Sequence, residues 1–94
     1  MKFIIHHAKD PTFGFGETPK FPEGYKPVAV VECEGVDDTF RITNHIDHNW
    51  EKNQEVVQLL SNGNRSTSVG DVVEDADGKL YYCDMVGWKE LETV

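Results

Sequence analysis

The residues best suited to chemistry in this chain are two histidines and one arginine-containing turn. His45 and His48 are three positions apart, a spacing that places both on one face if a helix reaches them. Asp47 or Cys33 could add a ligand, but no CxxC pair and no HExxH sequence accompanies them. His45 and His48 are therefore weak metal candidates, the alternative being turn and surface histidines, and we expect no metal and no cofactor.

The second candidate is the turn that begins at Arg65. Ser66, Ser68 and Gly70 could present backbone N–H groups to an anion, with the guanidinium of Arg65 beside them. This interpretation predicts a small-ligand or nucleotide-binding turn. The alternative is that Arg65 pairs with a local carboxylate while the serines hydrogen-bond the turn itself. Because no nucleophile-and-base arrangement is recognisable, we assign no catalytic residue and predict a non-enzymatic protein.

Charge is unevenly distributed along the chain. The net charge is −8, and residues 1–31 hold four lysines against three acids, whereas residues 32–94 hold five basic residues against fourteen acids. An acidic face repels phosphate, so direct nucleic-acid binding is disfavoured. The face suits a basic protein or could mimic nucleic acid, and the alternative is a solvated surface that keeps the protein soluble.

A protein partner is therefore the expected ligand. Asp37, Asp38 and Asp47 are the candidate acidic contacts. Trp50 lies in a polar stretch and is the better tryptophan for a partner contact, because aromatic side chains anchor interfaces. Trp88 follows Gly87 at a strand end and is expected to close the core.

Hydrophobic alternation predicts the first strands. Residues 2–8 read as a strand with Phe3 and Ile5 on one face and Ile4 on the other. Residues 28–33 are β-branched and apolar on both faces, as expected of a central strand.

The segment between these strands, residues 10–27, contains all four prolines of the chain. Prolines exclude a regular helix or a central strand. The aromatic rings of Phe13, Phe15, Phe21 and Tyr25 indicate an ordered loop that is pinned to the domain by those rings. The alternative is an aromatic binding surface.

The middle of the chain is ambiguous. Asp37 or Asp38 can cap a short helix over about residues 37–45, because a carboxylate accepts from the free amides of a first turn. Thr39–Thr43 also alternates with period two, as a strand would, and the helix is favoured. Residues 53–60 fit either a short helix or a short strand.

The C-terminal part reads as a β-hairpin. Residues 69–73 and 80–86 carry strand-forming side chains, and Asp77-Gly78 between them is a strong hairpin-turn dipeptide. We predict one α+β domain over residues 1–94: a small antiparallel sheet of about four to five strands, one or two short helices and an aromatic-rich N-terminal loop. No apolar stretch approaches ~18 residues, so we expect no membrane span.

The start of the chain has too brief an apolar run for a secretory signal, which predicts an intracellular, cytoplasmic protein. Cys33 and Cys83 are expected as buried thiols, since nothing else indicates a secreted, disulfide-bonded protein.

Several strings together carry a family resemblance: Thr43-Asn44 with Ile46-Asp47, Trp50 and Asn53, then Arg65–Val73, Tyr82-Cys83 and Gly87-Trp88. Over about residues 26–91 the chain resembles small proteins and domains of phages, plasmids and actinobacterial genomes that carry an RSxSVGDV segment, loosely like YodL-type domains. That family has no established activity. The resemblance implies a mobile element, a phage above all, and an accessory role. We therefore expect an accessory protein that binds a host or phage protein, in the host cytoplasm if phage-encoded.

Overall fold

One antiparallel sheet forms the framework of the molecule. The computed structural model describes residues 1–10, 20–44, 49–85 and 87–91. Within these residues there are one α-helix, α1 (Val36–Thr43), and a 3₁₀ turn, Trp50–Lys52. The strands are β1 (Lys2–Ala8), β2 (Tyr25–Glu32), β3 (Val56–Leu59), β4 (Val72–Glu74), β5 (Leu80–Asp84) and β6 (Gly87–Leu91).

The six strands lie in the order β3-β2-β1-β4-β5-β6, and every neighbouring pair is antiparallel. The α+β class is confirmed, but the sheet has more strands than the four or five expected. Residues 53–60, left undecided by the sequence, contain β3. The chain also reverses after Asp84, and Gly87, at φ 114°, opens a further strand that the sequence pattern did not separate from β5.

The central strand β1 alternates as predicted. Phe3 and Ile5 are buried in the cluster that includes Ile42 of α1, whereas Ile4 points to the other face and is half-buried. The pairing of β1 with β2 shifts between Ile5 and His6, so that Val28 has no partner in the register. This bulge lets both Val28 and Ala29 join the same cluster.

Each face of the sheet has its own hydrophobic cluster. The cluster under α1 contains Phe3, Ile5, Val28, Ala29, Val31, Ile42, Trp50 and Val73. The cluster on the opposite face contains Ala8, Tyr25, Val72, Leu80 and Tyr82, with Phe21 packed against it. The ring of Phe21 contacts His6 edge-on at 4.8 Å between centroids, as expected of a loop pinned by its rings. Phe13 and Phe15 lie outside the described residues.

Helix α1 forms where a helix was favoured over a strand, but its cap differs from the prediction. The cap position is Gly35, which offers no side-chain hydrogen bond. Asp37 and Asp38 lie inside the first turn instead. They are placed there because the helix begins at Val36, one residue before the predicted start, and their charges face the positive end of the helix dipole. Helix α1 buries Thr39, Ile42 and Thr43 against the sheet.

The turn between β4 and β5 lies where Asp77-Gly78 predicted it. Gly78 has φ 85°, and the carboxylate of Asp75 accepts the backbone N–H groups of Asp77 and Lys79, both at 2.9 Å. Asp75, which the dipeptide pattern did not single out, thus organises a loop longer than a two-residue turn. No helix of the described ranges is long and apolar enough to cross a membrane.

Candidate functional site

The segment of residues 65–71 is organised around a buried carboxylate, that of Asp71. The Asp71 side chain is 1% exposed. Nη1 and Nη2 of Arg65 donate to its two oxygens, each at 2.7 Å, in the bidentate geometry that suits guanidinium and carboxylate. Charge pairing and planar geometry therefore both hold Asp71 against Arg65.

Two backbone amides complete the shell of Asp71. Ser68 N donates to Oδ2 at 2.8 Å, and Ala8 N of strand β1 donates to Oδ1 at 2.9 Å. The carboxylate thus accepts four hydrogen bonds from Arg65, Ser68 and Ala8. The anion that Arg65 and the N–H of Ser68 bind is thus the chain's own Asp71.

The other residues of the predicted anion-binding turn also form hydrogen bonds within the protein. Ser66 O accepts from Arg65 Nη1 at 3.0 Å, and Ser68 O accepts from Asp71 N at 3.1 Å. Gly70, at φ 102°, donates its N–H to Cys83 O at 2.8 Å. The alternative interpretation, in which Arg65 pairs with a local carboxylate, is the arrangement found.

Segment 65–71 is also hydrogen-bonded to α1 and to β2. Thr67 N donates to Thr43 O at 3.0 Å, and Asn44 Nδ2 donates to Thr67 O at 2.6 Å, which joins the segment to the end of α1. Tyr25 Oη donates to Gly70 O at 2.9 Å, which joins it to β2. The segment is therefore a structural centre of the fold.

Trp50 is placed differently from the prediction. It is 2% exposed and belongs to the hydrophobic cluster under α1. Its Nε1 donates to Arg65 O at 2.9 Å, so the one polar atom of the ring is satisfied inside the protein. The expectation that Trp50 contacts a partner is wrong for this conformation, because no partner can reach a buried ring.

His7 lies behind segment 65–71. Its Nε2 shares a hydrogen bond of 2.9 Å with Thr67 Oγ1, and the same nitrogen is 3.9 Å from Asp71 Oδ2. Burial, together with the positive charges of Arg65 and Lys26, lowers the pKa of His7 to about 4 against the opposing effect of Asp71. His7 is therefore neutral near pH 7.

A groove opens between α1 and the turn that joins β5 to β6. It has a volume of about 290 Å³. We call it the acidic groove, and its lining residues are Asp37, Phe40, Val69, Cys83, Asp84, Met85, Gly87 and Trp88. Asp37 and Asp84 are exposed carboxylates, Met85 is 66% exposed, and Phe40 and Trp88 are half-buried. The groove combines apolar walls with negative charge.

The remaining predicted site residues are dispersed or not described. Asp38 is half-buried and forms an ion pair with Arg41, Oδ1 to Nε, at 3.5 Å. Asp47, His45 and His48 lie outside the described residues. Among the residues that are described, no group of three or more His, Cys, Asp or Glu side chains is arranged to hold a metal ion.

Both cysteines are free thiols. Cys83 is buried and Cys33 is half-buried, so the expectation of buried thiols is confirmed for Cys83 alone. Burial raises the pKa of Cys83 to about 11, and Asp71 and Asp84 act in the same direction. The Cys83 thiol therefore stays protonated and is a poor nucleophile at neutral pH.

Comparison of the chain with protein-family models, with curated proteins and with solved structures gave no match in any of the three.

Some residues of the candidate sites were not anticipated from the sequence. Phe40, Asp84 and Met85 of the acidic groove come together only because α1 packs beside the β5–β6 turn. Asp71 carried a usable signal, since it follows Arg65 within six residues and is the nearest carboxylate to it along the chain. This separation of six residues is compatible with an ion pair between Arg65 and Asp71, but it does not predict that Asp71 is buried.

Replacing Asp71 with asparagine tests the buried carboxylate. The substitution Asp71→Asn keeps the size of the side chain but removes the negative charge that faces Arg65, so we expect the free energy of unfolding to fall by about 3–5 kcal/mol. Urea denaturation measures the change. The matched control is Asp77→Asn in the exposed β4–β5 loop, which should change stability by less than about 0.5 kcal/mol. Equal small effects of the two substitutions would contradict the structural role of Asp71.

A pH series tests the environment of His7. Because its folded pKa, about 4, lies below the ordinary 6.5, the unfolded chain binds a proton that the folded chain excludes. The stability contributed by the neutral ring is fully present above pH 6.5 and is lost as the pH falls from 6.5 to 4. Between about pH 7.5 and about pH 5, wild type should lose about 2 kcal/mol more stability than His7→Gln. Identical losses measured by urea denaturation would show that His7 titrates normally.

Proposed function

We propose that this protein acts by binding another protein, and that the acidic groove receives a basic segment of the partner bearing one apolar side chain. The observation that carries the proposal is the juxtaposition of Asp37 and Asp84 with the exposed side chain of Met85. Exposed apolar surface gains free energy when a partner covers it, and rim carboxylates select a cationic neighbour.

The walls of the groove suit an apolar side chain. Met85 is unbranched and flexible, so its thioether can adapt to different partner shapes. Trp88 packs against the cluster under α1 on one side and lines the groove on the other. A half-buried aromatic ring held in place by a core loses little conformational entropy when it binds.

Electrostatics at longer range favours the same kind of partner. The chain carries a net charge of −8, and a basic partner is attracted to it across a distance comparable with the Debye length of about 8 Å at physiological salt. Asp37 and Asp84 then act at short range, where the carboxylates are close to the bound segment.

Binding accounts for the chemistry of the groove better than catalysis does. The one thiol in its lining, Cys83, is held protonated by burial. Asp84 is exposed, with one oxygen accepting the N–H of Met85 at 2.7 Å. The resemblance of Arg65–Val73 to segments of phage and plasmid proteins supports the further proposal that the protein is an accessory factor of a mobile element, whose partner is a host or phage protein.

Selection from a random peptide library tests the groove while the natural partner is still unidentified. Peptides retained by wild type should be enriched in Lys or Arg around one large apolar residue. Their affinity for the groove variant Asp37→Asn/Asp84→Asn/Met85→Ser should fall about tenfold or more, because both charges and the apolar contact are lost.

The matched control is Asp77→Asn/Glu23→Gln/Leu60→Ser, which removes two charges and one exposed apolar side chain at positions outside the groove. Its affinity for the selected peptides should stay within about twofold of wild type. Selected peptides that are acidic, or that bind the groove variant and the control equally, would overturn the proposal.

A further inference from the structure

A second cavity, on the same face of the sheet as α1, has the opposite charge. Its volume is about 350 Å³, and it is lined by residues that include His7, Lys9, Lys26, Gly63, Asn64 and Arg65. We call it the basic cavity. It lies over β1 and β2, whereas the acidic groove lies over β5 and β6, so the two are separate surfaces.

The register of the sheet brings the two lysines together. Lys26 is paired with His7, and Lys9 N donates to Gly24 O at 2.9 Å in the continuation of the same pairing. Lys9 and Lys26 are thus diagonal neighbours on one face of adjacent antiparallel strands, within reach of each other's long side chains. Both are exposed, and in the described part of the chain neither forms an ion pair.

Two acids beside the cavity, Asp71 and Glu51, are already engaged. Asp71 lies behind Arg65 and accepts four hydrogen bonds, and Glu51 Oε2 accepts the side-chain amide of Asn64 at 2.9 Å. Arg65 donates to Asp71 and to Ala8 O, so Asp71 balances its charge and Arg65 contributes mainly shape to the cavity wall. Lys9 and Lys26 are the side chains left to contact a ligand.

One further observation bears on the ligand. Asn64 Oδ1 is buried and has no hydrogen-bond partner in the part of the chain that the structure describes, whereas Nδ2 of the same amide donates to Glu51 and Ser61. A ligand that carries a hydroxyl beside its anionic group would offer the missing donor.

We propose that the basic cavity binds the phosphate group of a small ligand, held between the ammonium groups of Lys9 and Lys26. Lysine binds phosphate as a mobile point charge, and two lysines on one face repel each other until an anion lies between them. The volume is at the lower end of the range for ligand pockets, roughly 300–1,000 Å³, which fits a phosphate with a small substituent. A polyanion such as nucleic acid is repelled by the net charge of −8.

This site is independent of the proposed protein-binding function. Titration of ¹⁵N-labelled protein with inorganic phosphate and with glycerol 3-phosphate, followed by amide chemical shifts, tests it. Saturable shifts are expected at the amides of Lys9, Lys26, Gly63 and Asn64. The variant Lys9→Gln/Lys26→Gln should bind at least about tenfold more weakly, because both charge-assisted contacts are lost.

The matched control is Lys2→Gln/Lys89→Gln, which removes two exposed lysines elsewhere on the sheet and leaves the same net charge. It should bind within about twofold of wild type. Since all four lysines are exposed, dispersed amide spectra of both variants establish that they fold. The proposal is overturned if neither probe gives saturable shifts, or if the two double variants lose affinity equally.

Discussion

The ion pair between Arg65 and Asp71 is the interaction on which the rest of the structure depends. A carboxylate that is 1% exposed is costly unless its lone pairs are filled, and here two guanidinium N–H groups and two backbone amides fill them. One of these amides belongs to Ala8 of β1, so the carboxylate joins segment 65–71 to the central strand. The same segment is bonded to α1, β2 and Trp50.

Both candidate sites include a residue of segment 65–71. Arg65, at one end of the segment, lines the basic cavity, and Val69, near the other end, lines the acidic groove. A small acidic protein thus presents two surfaces of opposite charge on the α1 side of its sheet. Hydrogen bonds to Asp71 and to β5 hold segment 65–71 in place, and each surface includes one residue of this segment. The ordering of the segment therefore positions both surfaces.

Local patterns in the sequence predicted the elements but not the sites. Alternation placed Phe3 and Ile5 on the core face, and Asp77-Gly78 located a turn, because both depend on near neighbours. The prediction for Trp50 failed because its polar neighbours suggested exposure, while its burial depends on packing from distant strands. Lys9 and Lys26 could not be paired from the sequence, because they are brought together by the register of β1 against β2, which shifts at the bulge by Val28.

Hydrogen exchange of the Ser68 amide tests the central role of Asp71 most directly. Ser68 N and Asp77 N each donate to an aspartate carboxylate in a loop, at 2.8 and 2.9 Å, but only the acceptor of Ser68 is buried. If segment 65–71 is a structural centre, Ser68 N–H exchanges only through global unfolding, with the same opening free energy as the amides of β1. Exchange of Ser68 as fast as that of Asp77 would contradict the account.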